Sequence, residues 1–159
     1  MRHPVSSLSA AALCLSLSAL APARAAAPLE CPYTAEYLSA QLGQAFKVSN
    51  RSAGLLGKAC EYENKDRSVK VAVDTGPNPA PSPELWLKMA NPGGTRWAAV
   101  AGDPDKALTL ESYPNGEPYP SVFYARKGAL TTLTVLGPTG KAAASPWNTK
   151  LLKLERLPQ

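Results

Sequence analysis

Histidine is almost absent from the 159 residues, since His3 is the only one. It lies in a short basic segment that is followed by an uncharged apolar run from Val5 to Leu20 and by small residues up to Ala25, a pattern typical of a signal peptide. With residues 1–25 removed, the mature domain 26–159 would have no histidine. It would then lack the commonest general base and the commonest transition-metal ligand. We therefore predict no catalytic residue, no metal site and no cofactor.

Long apolar runs are also missing after the N-terminal segment. No later stretch approaches the ~20 apolar residues that a membrane-spanning helix needs, so we expect no integral membrane segment in the mature chain. The N-terminal run is itself short for a span, and the alternative to cleavage is that it remains as an anchor. Cleavage near Ala25 predicts a periplasmic or secreted protein.

Cysteine is scarce as well, with three residues in the whole chain. Cys14 would leave with the signal peptide, and Cys31 and Cys60 would remain. An even number of cysteines in an exported chain favours a disulfide between them. Two free thiols or a two-cysteine metal site are the alternatives, and the metal site would lack further ligands.

Charge is modest and dispersed. The net charge of +5 falls to +3 when Arg2 and Arg24 leave with the signal peptide. The basic residues are scattered without a run of three, whereas a nucleic-acid-binding protein would concentrate them in a patch or an arm. We therefore expect no nucleic-acid partner.

A β-hairpin is the clearest local pattern in the sequence. Cys60 and Tyr62 alternate with Glu61 and Glu63, a polar turn follows, and the valines of segment 69–73 alternate on the return strand. A second hairpin is predicted around Lys127-Gly128. Helices are predicted to begin after three N-capping residues, which are Thr34, Ser82 and Ser145. The last of these helices would have Pro146 at its first position.

The order of these elements predicts a single α+β domain. Runs of antiparallel strands separated by few helices favour one twisted antiparallel sheet with about three helices packed on it. The apolar face of the second helix is predicted to contain Leu85, Trp86, Met89 and Ala90. The three tryptophans, Trp86, Trp97 and Trp147, are predicted to anchor helices and strands to the core.

Several short motifs in this order resemble small exported bacterial domains of unknown function with a PsbP-like α/β/α sandwich fold. They are Cys31 before a capped helix that ends in Leu42-Gly43, the segment from Gly57 to Tyr62, Val100–Asp103 leading into a strand, and Arg126–Gly128 before a β-rich run. The resemblance implies a non-enzymatic accessory or binding role and transfers no catalytic residue. Many of these domains are lipoproteins, whereas this chain has no lipobox.

Two groups of acidic residues are candidate sites. Glu61 and Glu63 would lie about 7 Å apart on one strand face, as a carboxylate pair or as part of a charge-balanced surface with Lys65, Arg67 and Lys70. Asp103 and Asp105 fit a turn, with a calcium site as the alternative.

The segment from Tyr113 to Pro120 is the candidate recognition surface. Tyr113 and Tyr119 flank Asn115 and Glu117, and prolines stiffen the loop, so the tyrosines could serve as binding anchors. The alternative is an exposed connection between two strands.

The sequence therefore favours a monomeric, non-catalytic binding or accessory protein with a protein or cell-envelope component as its partner. One specific form of this role is an inhibitor or immunity protein that acts against an envelope-directed toxin or hydrolase. The rival function is a hydrolase that uses carboxylates.

Overall fold

The computed structural model describes residues 29–78, 82–90, 93–112, 114, 116–137 and 141–158. The predicted signal peptide lies outside these residues. The described elements, in chain order, are α1 (Ala35–Leu42), β1 (Phe46–Ala53), β2 (Lys58–Asn64), β3 (Lys70–Pro77), α2 (Pro83–Ala90), β4 (Arg96–Ala99), β5 (Leu108–Ser112), β6 (Ser121–Arg126), β7 (Ala129–Leu136) and α3 (Lys141–Leu152).

The strands form one antiparallel sheet, which confirms the predicted α+β class. The order across this seven-stranded sheet is β1-β2-β3-β7-β6-β5-β4. Both predicted hairpins, β2–β3 and β6–β7, are present, and β3 and β7 pair at the centre to join them. The central strands therefore have a neighbour on each side, and β1 and β4 are the edges.

The first face of the sheet is covered by α1 and α3. Side chains from the central strands form rows across this face, such as Cys60–Val73–Leu133–Val122. They pack with Leu38 and Leu42 of α1 and with Leu151 of α3 in one hydrophobic cluster. Trp147 packs against the same cluster, as predicted. This face is the closed main core.

The second face is covered only in part, by the short helix α2. Leu87 of α2 packs with Phe123, Leu108, Leu130 and Leu56 in a smaller cluster. Trp86 and Trp97 pack against this cluster, which agrees with their predicted role as anchors. Because one eight-residue helix cannot cover a sheet of this width, part of the second face stays open.

Two helix caps lie where the sequence predicts them. The Thr34 side chain accepts a hydrogen bond from the Tyr37 N–H, and Gly43 ends α1 in the left-handed conformation. The Ser82 hydroxyl accepts a hydrogen bond from the Leu85 N–H at the start of α2. The capping residues therefore predict the starts of these two helices correctly.

The prediction for the third helix was wrong at its start. Helix α3 begins at Lys141, so Pro146 lies inside it and Ser145 is not its cap. Alanine has the highest helix propensity, and the Ala-rich segment before Ser145 extends the helix by a turn despite the hydrogen bond that Pro146 cannot donate.

The predicted face of α2 also needs correction. Leu87 is the buried leucine, whereas Leu85 is exposed. Leu85 lies four positions before Met89, a spacing typical of one helical face, but the sheet lies on the side of Leu87. The side chains of Met89 and Ala90 lie outside the described part of the structure.

The Cys31–Cys60 disulfide is formed, as predicted. Its Cα atoms are 5.7 Å apart, and the two cysteines are separated by 29 positions. Cys60 is fully buried in the main core. The bond therefore fastens the segment before α1 to strand β2 at the centre of the first face.

We expect the disulfide to make a large contribution to stability. Closing a loop of this length constrains the unfolded chain by about 3–4 kcal/mol in the chain-entropy model. Urea unfolding with and without reductant should show a difference of this size, and the intact mass of the oxidised protein should be lower by two hydrogens. Equal unfolding curves, or alkylation of both cysteines in the native protein, would contradict this expectation.

Candidate functional site

An open cleft of about 310 Å³ lies on the second face of the sheet, where α2 leaves the strands uncovered. The residues that line it are Leu55, Leu56, Ala72, Asp74, Trp86, Leu87, Thr95, Trp97, Leu110, Tyr119, Ser121, Phe123, Thr132 and Thr134. A volume of this size and a largely apolar lining with a few polar groups are typical of small ligand-binding clefts.

The floor of the cleft is built from paired positions on β3, β7 and β6. One row contains Asp74, Thr132 and Phe123, and the row beside it contains Ala72, Thr134 and Ser121. The Ser121 and Thr134 hydroxyls are 3.0 Å apart and hydrogen-bond to each other. The floor is therefore polar in its middle, with Asp74 at one end and Phe123 at the other.

The end of the cleft around Phe123 is aromatic. The Trp86 ring stacks on Phe123 with centroids 5.5 Å apart, and the Trp97 ring is tilted against Phe123 at 6.0 Å. The Trp97 Nε1–H is buried and has no hydrogen-bond partner among the described residues. Aromatic clusters of this kind offer a large apolar contact area at a small cost in side-chain entropy.

Asp74 occupies the opposite end and holds the β1–β2 loop in place. Each of its carboxylate oxygens is 3.3 Å from the Leu56 N, which donates to it. The loop also approaches the backbone of β3 so closely that a Cβ at Gly76 would lie 1.7 Å from the Leu56 carbonyl oxygen. A Cβ at Gly54 would lie 2.5 Å from Asp74 Oδ1. The positions of Gly54 and Gly76 therefore need glycine for this contact.

The folded loop presents an apolar side chain beside the cleft. Leu55 is 80% exposed, whereas its neighbour Leu56 packs into the smaller hydrophobic cluster. A single exposed leucine contributes little to stability. Because Leu55 borders the cleft, it extends the apolar surface of the cleft.

The environment of Asp74 disfavours its charged form. Burial raises the pKa of the Asp74 carboxyl, and hydrogen bonds from the loop amides, that of Leu56 first, offset this effect only in part. No described lysine or arginine forms an ion pair with this carboxylate. Asp74 is also the one acidic or basic residue among those that line the cleft.

The predicted recognition loop meets this cleft through one residue. Tyr119 is half-buried and lines the cleft, whereas Glu117 is exposed. Tyr113 and Asn115 lie outside the described residues. The end of the loop is fixed to the sheet, because Pro120 is buried and its carbonyl accepts a hydrogen bond from the Val135 N–H at 2.8 Å.

The acidic residues weighed from the sequence are engaged elsewhere. Glu61 pairs with Lys70 at 3.0 Å and Glu63 with Lys47 at 3.2 Å, which confirms the charge-balanced surface. The Asp103 side chain accepts hydrogen bonds from backbone amides within its own turn, as the turn interpretation predicts.

The carboxylates of this turn also face arginines. Asp103 and Arg156 form an ion pair of 2.5 Å, and Asp105 lies 3.4 Å from Arg126. Within the described part of the chain, no group of three or more metal-ligating side chains occurs. The same part contains no helix that is long and apolar enough to cross a membrane.

Sequence reasoning missed Asp74, Gly76 and the floor of the cleft. Two signals were available, since aspartate is depleted in strands and glycine inside a strand often marks a close approach by another backbone. Asp74 directly follows the alternating valines of β3, and Gly76 lies two positions further along. The pairing of β3 with β7 is a long-range contact, so local sequence patterns could not indicate which side chains would share the floor.

No protein-family model, no curated protein and no solved structure matches this chain. Its function is therefore inferred from the geometry of the cleft.

The desolvation of Asp74 leads to a testable pH dependence. A carboxyl whose pKa is raised in the folded state destabilises that state when it is charged, so this penalty is present at neutral pH and is lost as the pH falls toward the ordinary value of 3.8. The variant Asp74→Asn keeps an oxygen for the Leu56 N–H and has no charge to titrate. Wild-type stability should therefore rise relative to this variant as the solution is acidified.

Urea unfolding of both proteins between neutral pH and about pH 4 checks this expectation. The variant Asp66→Asn is a comparison of opposite sign, because hydrogen bonds from Ser68 lower the pKa of the exposed Asp66 carboxyl, so acidification should not raise wild-type stability relative to this variant. A difference between wild type and Asp74→Asn that is constant with pH, or that changes in the opposite direction, would show that Asp74 is not desolvated.

Proposed function

We propose that this protein is an exported, non-catalytic binding protein that takes a segment of a protein partner into the cleft on the second face of its sheet. The observation that supports this most directly is the cleft itself, which has an aromatic end and is bordered by the exposed Leu55. Aromatic anchors in a preformed cleft supply much of the binding energy in protein interfaces.

The composition of the cleft favours binding over hydrolysis. Glycoside hydrolysis normally needs two carboxyl groups about 5–10 Å apart, one on each side of the scissile bond. The described lining of the cleft contains a single carboxylate, and its oxygens already accept hydrogen bonds from the Leu56 amide. An inhibitor or immunity protein is one specific form of this binding role.

Export and a PsbP-like sandwich belong to the same proposal. The N-terminal segment has the pattern of a signal peptide, and a buried disulfide is consistent with an oxidising compartment. The resemblance to PsbP-like exported domains adds an accessory role to this picture, as a protein that acts by binding in the periplasm or outside the cell. The open second face would then be the surface that meets the partner.

Changing Leu55 to serine should reduce binding to the partner without unfolding the protein. Leu55 is exposed, so its replacement should change the free energy of unfolding by less than about 0.5 kcal/mol. Leu55 lines the cleft, and truncation of an apolar anchor in an interface typically lowers the binding free energy by about 1 kcal/mol or more, which is about a fivefold loss of affinity. Affinity purification from an envelope extract followed by titration with the purified partner measures this loss.

Leu136→Ser is the matched control. Leu136 is an exposed leucine on the same sheet face, two positions beyond Thr134, and does not line the cleft, so it distinguishes loss of binding at the cleft from a general loss of apolar surface on that face. It should retain full affinity. Equal binding by wild type and both variants would place the partner surface elsewhere on the molecule and would contradict the proposal.

A further inference from the structure

Charge sets the cleft apart from an ordinary apolar groove. Asp74 contributes a carboxylate at one end of the floor, and the nearest acidic side chain on the same strand face, Glu61, is already paired with Lys70. The Leu56 amide donates to Asp74, but each carboxylate oxygen has two lone pairs and can accept further hydrogen bonds. Burial of a carboxylate is unfavourable unless a cation pairs with it, and a bound cation would therefore lower this cost at Asp74.

The distance between the two ends of the cleft suits an extended chain. Asp74 and Phe123 lie in one row with β7 between them, so they are separated by two strand spacings, or ~10 Å. Alternate side chains on one face of an extended peptide are ~7 Å apart, and a lysine or arginine stem adds reach. If an apolar side chain of the bound peptide lies at the aromatic end, a basic side chain two positions along the peptide would therefore reach Asp74.

We infer that the occupant of the cleft is an extended segment of a protein partner with an apolar residue at the aromatic end and a lysine or arginine two residues away, whose cationic head pairs with Asp74. This inference depends on the proposed function and specifies its ligand. The stem of the basic side chain would cross the methyl groups of Thr132 and Thr134, while its head meets the carboxylate.

A metal ion fits the cleft less well than an organic cation. Asp74 stands without further acidic, histidine or cysteine side chains in the described lining, whereas hard cations take six or more oxygen ligands. The apolar side chains in the lining favour a cation carried on an alkyl stem, because such a stem can pack along them while its charged head reaches Asp74. The proposal therefore commits to a basic side chain.

Two short peptides test the inference directly. Acetyl-Leu-Ser-Lys-amide carries the proposed pattern, and acetyl-Leu-Ser-norleucine-amide has a similar alkyl stem without the ammonium. The shifts of the Trp86 and Trp97 indole N–H signals in two-dimensional NMR spectra report occupancy of the cleft. Trp147 is the internal control, because it packs with the core of the opposite face.

The lysine peptide should shift the Trp86 and Trp97 signals, leave the Trp147 signal unchanged and bind at least about tenfold more tightly than the norleucine peptide. In Asp74→Asn this preference should fall to about one, while Asp66→Asn should retain it. A peptide with arginine in place of lysine should behave as the lysine peptide does.

Other outcomes overturn the inference in distinguishable ways. Equal affinity for the lysine and norleucine peptides would show that the cleft binds apolar segments without using Asp74, and the proposed binding function would survive. If free n-butylammonium binds as tightly as the lysine peptide, the ligand of the cleft is a small organic cation and not a protein segment. If no probe shifts the two indole signals, the inference fails on wild-type protein alone, and the Leu55→Ser comparison still decides the proposed function.

Discussion

The two faces of the antiparallel sheet are covered unequally, since two helices pack on the first face and one short helix packs on the second. Side chains of every central strand alternate between the two faces. One set of rows therefore builds the main core under α1 and α3, and a second set lies on the other face. One short helix, α2, covers only the end of that second set near Phe123. The cleft is the part of the second face that α2 does not cover. Its position follows from the strand order and not from a local motif.

Asp74 connects this architecture to the proposed chemistry. Its carboxylate holds the β1–β2 loop through the Leu56 amide, and the loop in turn brings Leu56 into the smaller cluster and exposes Leu55. The glycines at positions 54 and 76 allow this contact, since any Cβ there would collide with the loop or with the carboxylate. The same residue therefore shapes the rim of the cleft and supplies its charge.

Local patterns in the sequence predicted the hairpins, two helix caps, the sheet class and the disulfide, because each depends on neighbouring residues or on a small set of cysteines. The start of α3 was mispredicted, since Ser145-Pro146 resembles a helix start while the preceding alanines continue the helix. The floor of the cleft could not be predicted in the same way. It joins Asp74 to Thr132 and Phe123, residues that are far apart in sequence, and only the pairing of β3, β7 and β6 brings them together. Tyr119 was identified for its aromatic character, and the structure places it at the same cleft.

The central claim is that the partner occupies the half-covered face of the sheet. Site-specific photo-cross-linking in the living cell tests it most directly, with benzoylphenylalanine introduced at Leu55 beside the cleft and, separately, at the exposed Lys153 after α3, the helix that packs on the opposite face. The account predicts a discrete cross-linked species from position 55 that is absent or much weaker from position 153. The reverse pattern, or the same species from both positions, would contradict it.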